Sequence, residues 1–468
     1  MHPGRSRRDF LAMGGAGVAG AALGTASAAD PPPPAAGGFA AFSRWKPSFG
    51  GPPAADHYLG KLVPGLRAAG LVPVPVAMPD LPTLPHKVVN GVKEYELRCT
   101  PVKREFLPGQ PMAVWGYNDS MPGPLIEATQ GDRVRFVVHN ELPEPTTVHW
   151  HGLELPVGMD GVPGLTQDPI MPGKSFAYEF DLHQAGTFFY HSHFPMQEAF
   201  GLVGGFVIHP KVAFEPPVDR DFFLVFQNFH IDPNQFIPDS MAMDWNWHTI
   251  NGRSGPFTTP LVVKHGERVR VRLLDFSPQQ HHPIHLHGHT FWITGHEGAR
   301  IPASAWVPRN NALIAVAQAT DFEFVANNPG DWIFHCHMVH HMMNHMVRQV
   351  GPRIRDDSDV ADYQAQLATR PRVRPDFATD PGWRTAGYPQ RMQNMHMTEE
   401  MMKRVMGRRE VRGMRKEWHT GVHGLMTVLR VLPPELYDLV MTGDREVKPG
   451  AVFDRIVNGD YAKDYQKG

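Results

Sequence analysis

Histidine is the residue that most constrains this chain. Of the 27 histidines, 20 lie between His149 and His345, and histidine is the side chain that most often binds metal in proteins. They form four clusters: His149-Trp-His151, His191-Ser-His193, His282-Pro-Ile-His285-Leu-His287, and His335-Cys336-His337 followed by His341. The sequence therefore predicts a metalloprotein.

Histidines two residues apart suit a shared metal centre. On a β-strand, residues i and i+2 point to the same face, so each His-x-His pair presents two imidazoles side by side. Together the pairs supply eight ligands: His149, His151, His191, His193, His285, His287, His335 and His337. Eight imidazoles are too many for one ion and indicate a cluster of about three ions.

Cys336 points to the opposite face of the same strand as His335 and His337. There it can meet His282 and His341, with Met346 at a distance. Two histidines, one cysteine thiolate and a weak axial methionine form a blue-copper electron-transfer site. The alternative for Cys336 is a disulfide with Cys99, which would be natural in an exported protein. The flanking histidines favour the copper site, and Cys99 is then expected to be a buried small hydrophobe.

The body of the chain has the pattern of two similar β domains. The segments Arg133–Val138 and Arg268–Leu273 both alternate with period two, and both follow a Gly-Asp or Gly-Glu turn. Each is preceded by a Pro-Leu strand and followed by a histidine cluster, which suggests an internal repeat of two β-sandwiches. After residue 351, Thr398 before Glu399 is a plausible helix N-cap, and Pro433-Pro434 opens another short helix.

The N-terminus resembles an export signal. Ser6-Arg7-Arg8-Asp9-Phe10-Leu11 is a twin-arginine pattern, followed by a Gly/Ala-rich stretch and the cleavage site Ala26-Ser27-Ala28. The predicted organisation is mainly β. It comprises a Tat signal peptide at 1–29, a poorly ordered Pro/Gly-rich arm at 30–85, sandwiches at 86–212 and 213–352, and a partly helical C-terminal extension at 353–468. The Tat pathway implies a periplasmic or extracellular location.

Composition excludes several other classes of protein. The formal net charge is −2, whereas a general nucleic-acid binder needs a basic surplus. Two cysteines exclude a disulfide-rich scaffold and a four-cysteine zinc module. The chain has no run of about 18 large apolar residues, so no transmembrane segment is expected.

These motifs resemble the multicopper oxidases, a family that includes laccases, bilirubin oxidases and cuprous oxidases. The resemblance covers about residues 90–350 and implies cupredoxin-like Greek-key sandwiches holding four coppers per subunit. By the family's pattern the type 1 copper takes His282, Cys336, His341 and the axial Met346. His149 and His285 correspond to type 2 ligands, and the type 3 ligands correspond to His151, His191, His193, His287, His335 and His337.

The spacing of the motifs resembles the two-domain, small-laccase type. The first domain has Ser192 where a blue-copper cysteine would stand, so it is expected to carry no type 1 copper. Two-domain copper nitrite reductases carry that cysteine in the first domain, and its place in the second argues against the nitrite reductase alternative. Two-domain relatives close a head-to-tail ring of three subunits. The resemblance therefore implies a homotrimer with trinuclear clusters at its interfaces.

The resemblance implies an oxidase that takes four single electrons from a small reducing substrate and reduces O2 to two waters. Asp160, nine residues after His151, resembles the family's proton-relay acid near the type 2 copper. Phenols, aromatic amines and Cu(I) all remain open as the substrate. A non-enzymatic copper-binding electron carrier is the other alternative, although a carrier needs no cluster of eight histidines.

Overall fold

The structure is a computed structural model. It describes residues 73–232, 235–342, 349–350, 353–354, 398–419, 422–443, 446–459 and 461. The predicted signal peptide and Met346 lie outside the described residues. No helix in these described ranges is long and apolar enough to cross a membrane.

A short strand, β1 (Val76–Ala77), precedes the first β-sandwich and pairs with the first strand of the second sandwich. The nine strands of the first sandwich are β2 (His86–Val89), β3 (Val92–Leu107), β4 (Gln110–Tyr117), β5 (Gly123–Thr129), β6 (Arg133–Asn140), β7 (His149–His151), β8 (Ser175–Asp181), β9 (Gly186–His191) and β10 (Val203–His209). One sheet has the order β2-β3-β6-β8 with β4 on β3, and the other has the order β5-β10-β9-β7. Apolar residues that alternate along β6, such as Phe136, pack with Trp150 and Tyr190 between the sheets.

The second β-sandwich has the same plan. Its strands are β11 (Arg220–Phe229), β12 (Trp247–Ile250), β13 (Leu261–Lys264), β14 (Arg268–Asp275), β15 (His282–Leu286), β16 (Phe291–His296), β17 (Ala299–Arg300), β18 (Val307–Arg309), β19 (Asn311–Ile314), β20 (Gln318–Val325) and β21 (Gly330–Cys336). After a two-stranded ribbon of β22 (Gln349–Val350) and β23 (Arg353–Ile354), β24 (Met426–Leu432) completes the sandwich.

The pairing of strands confirms the predicted repeat. In the first sandwich β3 runs parallel to β6, and β10 lies between parallel β5 and antiparallel β9. In the second, β11 runs parallel to β14, and β24 lies between parallel β13 and antiparallel β21. The fold is therefore mainly β, with two cupredoxin-like Greek-key sandwiches.

The helices are few and short. They are α1 (Pro195–Ala199), α2 (Glu399–Met406), α3 (Pro434–Met441) and α4 (Ala451–Asn458). The side chain of Thr398 accepts a hydrogen bond from the backbone N–H of Met401, so the predicted N-cap of α2 is confirmed. The helix predicted at Pro433-Pro434 is also present as α3.

Two predicted boundaries differ from the structure. The boundary at residue 352 divides the second sandwich, because its strand β24 comes about 75 residues later in the chain, between β13 and β21. The predicted arm at 30–85 includes ordered segments, because β1 pairs with β11 and Leu84 is buried in the first core. Backbone hydrogen bonds and apolar burial fix both segments although their composition gives little periodic signal.

A buried polar contact joins the two sandwiches. Thr187 of β9 donates to Asp321 of β20 (Oγ1 to Oδ1 2.6 Å) and accepts from Arg272 of β14 (Nη1 to Oγ1 2.6 Å). The side chains of all three residues are at least nine-tenths buried. The sandwiches of one chain are thus held side by side.

Candidate metal centre

Three side chains of the second sandwich converge as a blue-copper site would require. His282 begins β15, Cys336 ends β21, and His341 lies in a helical turn at Val339–Met342. The Cys336 Sγ lies 3.5 Å from Nδ1 of each histidine, and the two Nδ1 atoms are 3.1 Å apart. Three soft or borderline donors thus surround one point in the buried interior, as the sequence predicted.

A serine orients one of these imidazoles. The Nε2 of His282 lies 2.8 Å from the hydroxyl of Ser277, so an Nε2–H that donates to Ser277 leaves the Nδ1 lone pair facing Cys336. Metal-binding histidines generally use their second ring nitrogen in this way, which fixes both tautomer and ring orientation. Sequence reasoning missed Ser277, although its place five residues before His282 made it a local candidate.

Burial prepares this site for a metal. It lowers the pKa of His341 to about 4, and the pKa of His282 lies well below the ordinary value. Burial also raises the pKa of the Cys336 thiol to about 12. At neutral pH the imidazoles are therefore neutral ligands, and metal binding must displace the thiol proton.

Leu425, which directly precedes β24, lies beside the cysteine. Its carbonyl accepts from the N–H of Cys336 (3.0 Å), and its N–H donates to the carbonyl of His341 (2.8 Å). Leu425 is fully buried and belongs to the same core cluster as Cys336. In the first sandwich Leu202 bonds the N–H of Ser192 in the same way (3.2 Å). Leu425 thus lies beside Cys336, whereas Met346, the axial ligand that the resemblance implies, is outside the described residues.

The first sandwich contributes one half of the predicted cluster. His149 and His151 lie on β7, and β9 ends at His191, directly opposite His149. The Nδ1–H groups of His149 and His191 donate to the carbonyls of Asp160 (2.6 Å) and Ser192 (2.7 Å). Their Nε2 lone pairs are thereby free for metal. Donor atoms of His149, His151 and His191 lie within 4.8 Å of one another. The ring of His193 lies edge-on to that of His149 and stacks with that of His191.

The second sandwich contributes the other half in the same manner. His285 on β15 pairs with His335 on β21. Their Nδ1–H groups donate to the carbonyls of Asn310 (2.6 Å) and Cys336 (2.8 Å). The Nε2 atoms of His287 and His335 are 3.2 Å apart, and His337 lies against the rings of His285 and His335.

Burial also keeps several cluster histidines neutral. It lowers the pKa of His151 to about 3 and that of His335 to about 4, and in each case nearby histidines lower the pKa further. The pKa values of His149 and His287 are lowered by burial as well. Neutral imidazoles at physiological pH fit the donor requirements of a copper cluster.

The two halves are separate within one chain. Among these eight described histidines, ring contacts and hydrogen bonds occur only inside each group of four. His287 and His337 are exposed, whereas the Cys336 site is buried. The second sandwich therefore presents an open half-site at its surface, and three of the four histidines of the first half-site are partly exposed.

Two carboxylates lie beside the first half-site. Asp160 follows a helical turn at Val157–Met159, and its Oδ1 is 3.5 Å from Nδ1 of His149. Glu198 of α1, which the sequence analysis did not single out, has its Oε1 3.5 Å from Nδ1 of His191. Both side chains are about one-third exposed, so each can exchange protons with solvent.

The first sandwich fills its equivalent of the blue-copper position with hydrogen-bonded polar groups. Counting from the paired histidines, Thr146, Ser192 and Gln197 correspond to His282, Cys336 and His341. The hydroxyls of Thr146 and Ser192 each donate to the side-chain oxygen of Gln197 at 2.8 Å. This triad offers no thiolate or imidazole, the donors that a blue-copper site requires.

Two protein-family models, both described as "Multicopper oxidase", match residues 98–213 and 230–355 of the sequence, together just over half of the chain. The chain belongs to the multicopper oxidase family. Family membership implies copper as the metal, and the imidazole and thiolate donors described above fit that metal. The matched segments contain all four histidine clusters.

Individual relatives show the same likeness over part of their length. The chain is 31% identical over 265 residues to "Laccase-1" of Fomitopsis schrenkii, covering 53% of this chain and 48% of that protein. It is 28% identical over 253 residues to "Copper resistance protein A homolog" of Pseudomonas syringae pv. tomato, covering 44% and 42%. This multicopper oxidase thus spans half or less of the length of these curated relatives.

A solved structure supports the fold. The blue copper oxidase from Nitrosomonas europaea has a TM-score of 0.50 and 30% identity to this chain, covering 54% of this chain and 81% of that one. The likeness agrees with the cupredoxin-like sandwiches.

Proposed function

We propose that this chain is a laccase-like multicopper oxidase that couples four one-electron oxidations of a small reducing substrate to reduction of O2 to two waters. The observation that carries the proposal is the arrangement around β21. Cys336 faces the buried site with His282 and His341, and its neighbours His335 and His337 face the cluster half-site. One short stretch of backbone therefore joins the place where electrons enter to the place where O2 is reduced.

Copper, when bound, supplies the one-electron redox chemistry and the binding of O2. The chain's own residues hold and orient it. Backbone carbonyls fix the tautomers of His149, His191, His285 and His335, and Ser277 fixes His282. We propose four coppers per subunit: one at the Cys336 site and three at a cluster of the eight paired histidines.

We propose that Asp160 supplies protons to the reduction of O2. Its carboxylate lies at the edge of the first half-site and keeps an exposed side, so it can pass a proton from solvent toward the cluster. The backbone carbonyl of Asp160 also holds His149, so the same residue orients a ligand.

We propose that the trinuclear clusters form between chains of a homotrimer. Each half-site offers four imidazoles, and within one chain the two halves make no contact with each other. A head-to-tail ring would bring the first sandwich of one subunit against the second sandwich of the next and so complete each cluster.

We also propose that the protein is exported by the Tat pathway to the periplasm or beyond. The support is the twin-arginine pattern and cleavage site in the sequence.

Oxygen uptake tests the proposed activity. Copper-loaded full-length protein is given 2,6-dimethoxyphenol, an aromatic amine or Cu(I) in an oxygen electrode, and nitrite is tested separately as an acceptor. We expect O2 consumption with at least one donor, at about four one-electron oxidations per O2. A blue protein that consumes no O2 with any donor would instead be an electron carrier, and nitrite reduction would identify the alternative enzyme.

A further inference from the structure

A cavity of about 400 Å³ lies where the two sandwiches meet. Its floor is buried and apolar, formed by Met112, Ile231 and Trp247. The rim is exposed at Lys103, Gln235 and Phe236, so the cavity opens to solvent. The N–H of Ala113 donates to the carbonyl of Phe236 (2.7 Å), which closes one side.

Strand β12 is the wall between this cavity and the Cys336 site. Adjacent residues of a strand point to opposite faces. Trp247 pairs with Phe229 and faces the cavity, whereas His248 pairs with Asn228 and faces the opposite way. A single peptide unit therefore separates the cavity floor from the side that faces copper.

His248 lies directly on a ligand of that site. Its ring centroid is 4.4 Å from that of His341, with the two planes 31° apart. The Nδ1 of His248 is 3.0 Å from Oδ1 of Asn228, whose Nδ2–H donates to Gln280 (2.6 Å). His341 and His248 are only 3% and 1% exposed. A bulky donor therefore has no direct access to the ring of His341.

We propose that an aromatic reductant binds in this cavity against Trp247, and that its electron reaches the Cys336 site through the Trp247–His248 backbone and the His248–His341 ring contact. The inference rests on the proposed oxidase function and adds to it a donor site and an entry route. In this role His248 positions His341 and carries the electron without touching the donor.

The step balances for a phenolic donor. The phenol loses one electron and its hydroxyl proton and leaves as a phenoxyl radical. The proton passes to water at the open rim, and an oxidised copper held by His282, Cys336 and His341 would accept the electron. Four donors supply the four electrons, and the four protons taken up with one O2 give two waters.

The lining favours an aromatic molecule over Cu(I). Trp247 and Phe236 offer ring faces, and Met112 and Ile231 add apolar surface. Gln110, Gln235 and Lys103 provide polar groups at the entrance for a hydroxyl or a ring substituent. Met112 is the single thioether among the lining residues, whereas soft Cu(I) prefers several sulfur ligands.

Filling the cavity tests the donor site. In Gln110→Trp, two residues before Met112 and on the same face of β4, the indole would occupy the cavity, and the control is Ala177→Trp on the exposed face of β8. We expect Gln110→Trp to weaken binding of 2,6-dimethoxyphenol to the copper-free protein in calorimetry by about tenfold, or about 1.4 kcal/mol. Anaerobic bleaching of the blue absorption by the phenol should slow by a similar factor at subsaturating donor. The control should match the wild type both in its affinity for the phenol and in its bleaching rate.

Substitutions of His248 test the proposed path of the electron from the cavity to the Cys336 site. We expect His248→Leu to bind the phenol normally in calorimetry but to lower the limiting rate of anaerobic bleaching by about tenfold. His248→Phe, which keeps a ring against His341, should restore most of the rate. The blue spectrum and redox potential of each variant report whether the copper site itself has changed.

Three results would overturn the inference while leaving the oxidase proposal intact. One is phenol oxidation at the wild-type rate in Gln110→Trp. Another is a wild-type limiting rate in His248→Leu. The third is equal slowing of bleaching by phenol and by ferrocyanide in His248→Leu, which would mean that the residue acts only on the copper site. A wild-type protein that consumes no O2 with any donor would instead refute the oxidase proposal.

Discussion

Cys336 is the residue that links the two proposed copper centres. Its thiol is the soft donor of the buried site, and a hydroxyl in its place is a much weaker ligand for copper. We expect Cys336→Ser to lose the blue absorption and all oxidase activity, while metal analysis still finds the cluster coppers. Cys99→Ser, at the other buried cysteine, serves as the control and should remain blue. A Cys336→Ser protein that keeps its blue colour would contradict the assignment.

The axial side of the copper site can be decided by two variants. The sequence assigns this position to Met346, whereas the structure places Leu425 beside Cys336 and binds it to the backbones of both Cys336 and His341. From this register we expect Leu425→Met to lower the redox potential, because a thioether then approaches the copper. Met346→Leu should leave the potential unchanged in redox titration. A raised potential in Met346→Leu would instead support the sequence assignment.

Asp160 is expected to affect the oxygen reaction alone. An amide cannot accept and release protons as a carboxylate does, and loss of a general acid commonly costs about 100-fold or more in rate. We expect Asp160→Asn to slow turnover by about that factor under limiting O2, with the blue spectrum unchanged. Asp168→Asn, at an exposed position of the same loop, is the matched control. Equal rates in the two variants would exclude the relay.

At the level of residues, the sequence predicts the candidate metal ligands better than it predicts the residues that contact and orient them. The strand period of two identifies which histidines share a face, and the structure brings the eight cluster histidines together as two groups of four. His248 and Leu425 were missed because nothing in their local sequence marks them, and Ser277 was missed although it lies five residues before His282. His248 reaches His341 through the β11–β12 pairing, and Leu425 reaches Cys336 through the β21–β24 pairing.

Among the elements, β14 departs most from what its pattern suggests. Its alternating arginines, Arg268, Arg270 and Arg272, are buried and paired with Glu323, Asp221 and Asp321 rather than solvated. Burial alone would raise the pKa of Glu323, but Arg270, Arg300 and Arg268 outweigh it and hold the pKa below its usual range. The carboxylate is therefore charged in the folded protein.

Removing that charge should destabilise the fold. We expect Glu323→Gln to lower the free energy of unfolding at pH 7 by about 3–5 kcal/mol, because arginines are left buried without their partner. Glu179→Gln is the control: its carboxylate bonds Arg133 and Arg135 at the surface, where ion pairs contribute about 0–1 kcal/mol. Denaturant unfolding of both variants measures the difference, and equal losses would contradict the prediction.

The depressed pKa of Glu323 also predicts how the stability of the protein changes with pH. A carboxylate whose pKa is depressed by folding stabilises the protein fully above its unfolded pKa, about 4.3. That stability is lost as the pH falls below this value toward the folded pKa. Wild-type stability should therefore fall with acidification below about pH 4, and the fall should be shallower in Glu323→Gln.

Element boundaries were harder to predict than element types. Period-two patterning gave the strands of both sandwiches, because one face of each must be buried. This patterning did not indicate that β24 belongs to the second sandwich. Alternation shows that a segment is a strand, but it does not show which distant strands will lie beside it in the sheet. Composition likewise suggested an arm before residue 86, although β1 pairs with β11.

At the scale of the whole molecule, mixing two inactive variants tests the assembly. His151→Ala damages the first half-site and His337→Ala damages the second. If clusters form between subunits, co-assembly should restore about a quarter of the wild-type activity, because each half-site is intact in half of the chains. Mixing His151→Ala with His191→Ala, both in the first half-site, should restore none. Restoration in neither mixture, with light scattering showing an active wild-type monomer, would place the clusters within one chain.

The position of β24 along the chain also governs how the copper site is completed during folding. About ten residues separate Ser192 from Leu202 in the first sandwich, whereas about ninety separate Cys336 from Leu425 in the second. Loop-closure entropy grows only with the logarithm of length, so the longer connection costs about 2 kcal/mol more. Such distant pairing also slows folding. The first sandwich can therefore close early, while the proposed blue-copper site forms only when the last strand docks, and copper bound there would oppose its release.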